Sequence, residues 1–315
     1  MMKLKQSLKN SIKLALLLSL LSLCLSCQNT KSTSGPAQDP QHLFLKSFNN
    51  TLKLKTPLYA NAKMANTTLW VYVATDEEIL TLDRKQSQGK EDEKKETIFL
   101  QLKGDYSGNF QFYYDIFRLK DLPPTSFKEE AASKGINEGY TNLTHDILQK
   151  AFVSLMDLVY STDAKNLKFF VVSIADIKKG IEIKTIINRS DLEKLMVNII
   201  TSEQFYGTRT IYKEKGDETI TGDKTGKHLD YKEIVLENFI VELTAQKARQ
   251  EFAKLKDEEK TNQKIQGIIL KNIYEFTKIY EFDNFYAVEM TDIASNNKES
   301  MSKYELTEKF KDSGL

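Results

Sequence analysis

Thr97-Ile98-Phe99-Leu100-Gln101-Leu102 and Asn109-Phe110-Gln111-Phe112-Tyr113-Tyr114-Asp115-Ile116-Phe117 stand on either side of Gly104-Asp105-Tyr106-Ser107-Gly108. Two runs rich in aromatic and β-branched residues around a glycine-bearing turn predict a β-hairpin. Alternation sends Phe110, Phe112 and Tyr114 to one face and Tyr113 to the other. A sheet packed on helices accounts for this cluster; an outward tyrosine that anchors a partner is the rival reading.

Working outward, Thr67-Thr68-Leu69-Trp70-Val71-Tyr72-Val73-Ala74-Thr75 reads as a strand, and Asp83 to Glu96 as a solvated, charged loop. Pro123-Pro124 closes the β-rich part. Helical signals follow. Asn142 or Thr144 can cap a helix whose Ile147, Ala151, Leu155 and Leu158 fall on one face. Lys168 to Ile174 and Ile181 to Ile187 read as strands around Lys178-Lys179-Gly180. Ser190 and Glu193 form a capping box for a helix through Ile200, with Leu192, Leu195, Met196 and Ile199 inward.

Gln204 to Lys213 reads as a strand, and Lys215 to His228 as a mobile hairpin or loop. Asp230 caps a long helix from Tyr231 to about Glu259, although Ile234 to Leu243 is apolar enough to leave a strand open. Ile268 to Phe282 and Phe285 to Met290 suggest a final hairpin across Asp283-Asn284, and the tail from Asn296 is polar and loose at its end. Strands and helices follow one another without a βαβ rhythm. That predicts an α+β fold, mainly antiparallel sheet with packed helices.

A search for chemistry returns little. Gly222-Asp223-Lys224-Thr225-Gly226-Lys227-His228 differs from a phosphate loop, with three residues between its glycines and His after the lysine. It reads as a charged turn. The three histidines, His42, His145 and His228, are far apart and form no metal-binding pair on a helix face. No serine sits in an exposed elbow. Asp217, Asp223 and Asp230 are too sparse for a calcium loop. Glu129-Glu130 and Glu258-Glu259 read as solvated surface. Neither a catalytic set, a metal site nor a cofactor site is expected. A hydrolase assembled from scattered carboxylates would need two of them close and buried in a cleft.

The first 27 residues carry a different message. Lys3, Lys5, Lys9 and Lys13 precede an apolar run from Leu14 to Leu25, and Ser26-Cys27 is followed at once by polar residues. Basic start, apolar middle and a small residue before the cut mark a secretory signal. The run is about 12 residues, short of the roughly 20 that span a bilayer. The chain has two cysteines, Cys24 and Cys27. Leu25-Ser26-Cys27 resembles the end of a bacterial lipobox, which implies acylation of the cysteine after a small residue; Ser26 precedes Cys27 and bulky Leu23 precedes Cys24, so Cys27 is the expected lipidation site and Cys24 its rival. No cysteine remains for a disulfide or a nucleophile.

These readings divide the chain into a signal peptide at 1–27, a polar tether with a docking segment at 28–56, and an α+β domain at 57–315. The domain has a β-rich part at 57–124 and a mixed part at 125–315 as an internal division. About 14 residues of tether reach on the order of 20 Å. His42 to Lys55 carries Leu43, Phe44, Leu45 and Phe48, which suit docking on the domain.

Hydrophobic content of 40%, with 17 Phe and 14 Tyr, supports a sizeable core. The whole chain has 45 basic and 44 acidic residues, and four of the lysines lie in the leader, leaving 41 against 44, a net of −3. That balance argues against a dedicated nucleic-acid binder.

The Lys-rich start, the Leu/Ser core and the Leu25-Ser26-Cys27-Gln28 end resemble the lipoproteins of spirochaetes, especially Borrelia-type outer surface antigens. The Lys-, Asn- and Ile-rich body is similar in character. The resemblance implies acylation at Cys27, attachment to the outer membrane and display on the cell surface, and it transfers no catalytic residue. The expected function is a non-enzymatic surface lipoprotein that meets a host protein or is presented as an antigen. The alternative is a periplasm-facing lipoprotein in envelope assembly or solute binding.

Overall fold

A computed structural model describes residues 39–52, 56, 58–83, 98–118, 137–161 and 164–312. The leader with Cys27, the loop reading at 84–96, Pro123-Pro124 and Glu129-Glu130 lie outside these residues. Among the described residues are seven α-helices and eleven strands in three sheets, and the fold is α+β.

Helix α1 (Pro40–Thr51) opens the described chain. The Asp39 carboxylate accepts the Gln41 amide at 3.1 Å, and Pro40 takes the first turn, where its missing N–H is no loss. Phe44 and Phe48 stack with ring centroids 5.6 Å apart and are fully buried. The part of the His42–Lys55 segment that is described, His42 to Leu52, thus packs on the domain through these two rings.

Strands β1 (Leu58–Ala65) and β2 (Thr68–Thr75) pair antiparallel. Strand β3 (Leu80–Asp83), which takes up Asp83, pairs with β6 (Asn137–Tyr140) as a separate ribbon. The predicted hairpin is β4 (Ile98–Tyr106) with β5 (Phe110–Arg118), antiparallel. Its turn is tighter than the glycines suggest, because β4 runs on through Gly104. A side chain at Gly104 would meet Val241 at 2.5 Å. As expected, Phe110, Phe112 and Tyr114 are buried while Tyr113 is 41% exposed.

Helix α2 (Asn142–Tyr160) buries Ile147, Ala151, Leu155 and Leu158, as the pattern predicts. Its cap is Thr141, ahead of both candidates; the Thr141 hydroxyl accepts the Thr144 amide at 3.2 Å. Strands β7 (Phe169–Asp176) and β8 (Ile181–Asn188) form the expected antiparallel pair.

Helix α3 (Arg189–Met196) is capped by Asn188 instead of the Ser190–Glu193 box. It stops at Met196 because Asn198 adopts φ 58° and Ile199 N–H returns to Lys194 O at 2.8 Å, a Schellman closure. Ile199 is consequently 70% exposed, not inward. A capping box of Thr201 and Gln204 starts helix α4 (Ser202–Gly207), so only β9 (Thr210–Glu214) remains of the predicted 204–213 strand.

Helix α5 (Leu236–Lys254) begins later than expected, since Asp230 to Val235 stays extended or turning. The predicted 268–290 hairpin is overturned. Asn262–Ile279 is helix α6, capped by the Thr261 hydroxyl on the Lys264 amide and closed by Glu281 at φ 52°. Ile265, Ile269, Ile273 and Phe276 fill its buried side. In the tail, β10 (Ala287–Asp292) pairs with β11 (Asn297–Ser302), and a Ser302–Glu305 capping box starts helix α7 (Lys303–Phe310), while the tail's end at 313–315 lies outside the described residues.

The main sheet runs β1-β2-β7-β8-β9, and the second runs β11-β10-β5-β4. Pairing is antiparallel except for β2 with β7 and β5 with β10. Leu69, Val71, Val73, Phe170, Val172 and Ile174 face one core with α1 and α2. Trp70, Tyr72, Phe169 and Val171 face another, shared with α5, α6 and the second sheet. Strand β2 is buried along its whole length because both faces are covered. Helix α5 lies between the sheets, with Phe239 5.2 Å from Phe169 on one side and Val241 against Gly104 on the other.

Candidate functional site

The side chains of catalytic type that come together lie where the 215–235 segment straps across the main sheet. In the β7–β8 turn the Asp176 carboxylate accepts the Lys178 and Lys179 amides at 3.0 Å each, and Gly180 takes φ 63°. Alternation then points Ser173, Glu182 and Lys184 toward the strap. The strap is pinned to this turn by Asp217 N–H on Gly180 O at 3.1 Å and Gly222 N–H on Ile177 O at 2.9 Å. It is no loose hairpin: Ile220 and Leu229 are buried.

Asp223 organises the turn. Its Oδ1 accepts the Thr225 and Gly226 amides at 2.9 Å each, and Oδ2 accepts the His228 amide at 3.0 Å. The sequence that invites comparison with a phosphate loop thus has its amide cradle filled by its own carboxylate. Gly226 needs φ 73°, and a side chain there would strike the Tyr231 hydroxyl and the Tyr72 ring.

His228 lies between two acids. Its Nδ1 is 2.7 Å from Asp223 Oδ2 and its Nε2 is 3.4 Å from Glu182 Oε1. The His228 side chain is 6% exposed and that of Glu182 is 1% exposed. Ser173 Oγ donates to Glu182 Oε1. Lys184 Nζ stands 3.3 Å from Glu182 Oε2, an ion pair without hydrogen-bond geometry, which leaves that oxygen otherwise unsatisfied. The Tyr72 hydroxyl donates to Asp223 O at 2.6 Å, and its ring meets the imidazole edge-on at 5.5 Å.

Burial would raise the Asp223 pKa, but hydrogen bonds from the His228 ring and amide and from Thr225 outweigh it and hold the carboxyl well below the usual range. Burial pushes the Tyr72 phenol upward and Tyr231 up to about 12. A ring protonated at both nitrogens donates to both acids, whereas a neutral ring serves one. The set resembles a relay in composition. Ser173 is fully buried, and little of the His228 or Glu182 side chain reaches the surface. Its chemistry is that of a buried polar clasp.

Two open clefts flank α5. One, of about 640 Å³, is lined by Lys168, Arg189 and Lys194 interleaved with Glu193, Glu233 and Glu237. At its wall Tyr280 donates to buried Asp191 at 2.6 Å. Burial raises the pKa of both groups, more than the Tyr280 hydrogen bond and Lys194 can offset at Asp191. The other, of about 540 Å³, lies between the sheets, where Trp70, Tyr212 and Phe239 meet Lys184, Glu214 and Glu242.

A third feature is a buried cation. Arg209 is 7% exposed, and its guanidinium carbon lies 4.4 Å from the Tyr206 ring centroid, 5.2 Å from Phe152 and 5.6 Å from Phe205. Its Nε is buried without a hydrogen-bond partner, and burial lowers its pKa. Cation–π contacts contribute about 0.5–2 kcal/mol each, against a desolvation penalty of several kcal/mol for an unpaired buried ion.

Of the other sequence candidates, His42 and His145 are exposed on α1 and α2, with His145 against the Tyr140 ring. Asp217 caps Thr219 and Asp230 pairs with Lys232, so the three aspartates share no site. Glu258 and Glu259 lie in a short 3-10 turn. No group of three or more His, Cys, Asp or Glu is placed to hold a metal among the described residues. No helix among them is long and apolar enough to cross a membrane.

Sequence reasoning missed Glu182, Asp191 and Arg209. The only signal available was a polar residue at an inward strand position, as for Glu182 between Ile181 and Ile183. No protein-family description, curated protein or solved structure matches this chain.

Proposed function

We propose that this chain is a lipid-anchored protein of the bacterial outer surface that acts by binding rather than catalysis. The observation that carries the reading is the leader, with its basic start, short apolar run and Ser26-Cys27 end. Cys27 is the acylated residue. Two or three acyl chains hold a protein stably where one does so only marginally. The first described residue, Asp39, lies twelve positions after Cys27, and a link of that length suits a domain held close to the membrane.

The non-enzymatic part is supported by the burial of the Glu182–His228–Asp223 clasp, whose residues hold the strap to the sheet. The partner is a host protein or the immune system, and nucleic acid is disfavoured by the balanced charge. The inter-sheet cleft with Trp70, Tyr212 and Phe239 beside Lys184 and Glu242 favours a second reading, a periplasm-facing lipoprotein that captures a solute.

Protease shaving of intact cells, with a periplasmic protein as the intactness control, separates the two. Loss of the chain while the control survives supports surface display. Survival until the outer membrane is opened supports the periplasmic reading. Cys27→Ala is expected to abolish acyl labelling; labelling that persists moves the site to Cys24 or ends the lipoprotein reading.

A further inference from the structure

Arg209 stands immediately before edge strand β9, with the aromatic residues of α2 and α4 around it. Among the described residues, no carboxylate forms an ion pair with it. The groups that perturb it electrostatically are the phenols of Tyr206 and Tyr140, not acids. Lys247, on α5, adds a second cation nearby: its Nζ is 3.2 Å from where a Gly207 side chain would begin.

A guanidinium taken out of water without a counter-charge is the costly half of a buried ion pair. Aromatic faces soften that cost but do not neutralise the charge or satisfy the fork of N–H donors. Tyr206, which lies over the guanidinium at 4.4 Å, is half exposed. Arg209 itself keeps a small exposed fraction beside that ring.

We propose that Arg209 is the anchor of a binding site for a single oxyanion, carboxylate or phosphate. The planar fork of arginine matches such groups through two parallel hydrogen bonds. The apolar rings of Phe152 and Phe205 exclude water and strengthen the pairing. The site is independent of where the chain is anchored and of the reading of its leader.

The test uses the full chain, purified in detergent and titrated with sodium phosphate or sodium acetate at ionic strength held constant with chloride. Thermal unfolding is the first readout, and the Arg209 Nε–H resonance is the second. A saturable rise in Tm with either anion is expected, together with a saturable shift of that resonance, and Arg209→Met should lose the Tm response. Response to phosphate alone identifies a tetrahedral group, and response to acetate a planar one. No saturable response to either anion overturns the proposal, as does an equal response in Arg209→Met. Should Arg209→Met fail to fold, the resonance shift in the wild-type chain decides the matter by itself.

Discussion

His228 Nδ1 lies 2.7 Å from Asp223 Oδ2 in the same strap, and the opposite ring nitrogen reaches Glu182 on β8, 46 positions earlier in the chain. One imidazole therefore closes the 222–228 turn and fastens it to the main sheet. Removing it leaves two largely buried carboxylates without the group that bridges them. His228→Ala is expected to destabilise the fold by about 3–5 kcal/mol, read as a lower urea midpoint. A change under 1 kcal/mol would show that the clasp holds nothing.

Asp223 makes stability sensitive to acid. Its folded pKa is held below the ordinary value of 3.8, so the unfolded state takes up protons first as pH falls. The contribution is present above about pH 3.8 and is lost below it, on the way down through the folded value. Asp223→Asn should lower the urea midpoint at pH 7 and flatten the acid limb of the wild-type profile. Parallel profiles for the two proteins would contradict this.

Asp191 has the opposite sign. Burial raises its folded pKa above 3.8, so its contribution is full below that value and declines as pH rises through the folded one. Asp191→Asn keeps an acceptor for the Tyr280 hydroxyl and removes the buried charge. The variant should be at least as stable as wild type at pH 7 and lose the decline, measured by thermal unfolding between pH 4 and pH 7. A clear loss of stability at pH 7 would mean the charge is needed.

Helix α1 is the first described element and is held by its aromatic pair. Phe44 is fully buried with Phe48 in the core shared with α2. Phe44→Ala should cost about 3–5 kcal/mol, whereas deletion of residues 29–38 should leave the unfolding midpoint unchanged. A deletion reaching through Pro40 removes the Asp39 cap, so its end point matters. Equal effects of the substitution and the shorter deletion would contradict this.

What was legible along the chain was burial on one face. Strands β2, β7 and β8, the β4–β5 hairpin and the inward stripe of α2 each announce themselves through a local period, and the α+β class follows from their order. Where burial is two-sided the period disappears. Helix α5, packed between two sheets, buries Phe239, Ile240, Val241 and Leu243 in close succession and so looked partly like a strand. Helix α6, burying Ile268 through Leu270 and Asn272 through Tyr274, was mistaken for one arm of a hairpin. The ends of α3 and α6 were hidden because Asn198 and Glu281, not glycine, take the left-handed closing position.

The sequence by itself determined the leader's signal-like pattern, the fold class and the local elements with one wet face, because each is encoded within a few turns of chain. The tertiary structure alone decided which polar groups meet. Glu182 reaches His228 because β8 and the strap lie against one another, and Arg209 meets aromatic faces because α2 and α4 pack around it. Hydrophobic periodicity reports whether a residue turns inward. Only packing brings it against a residue distant in the chain, and electrostatic pairing depends on that distance in space.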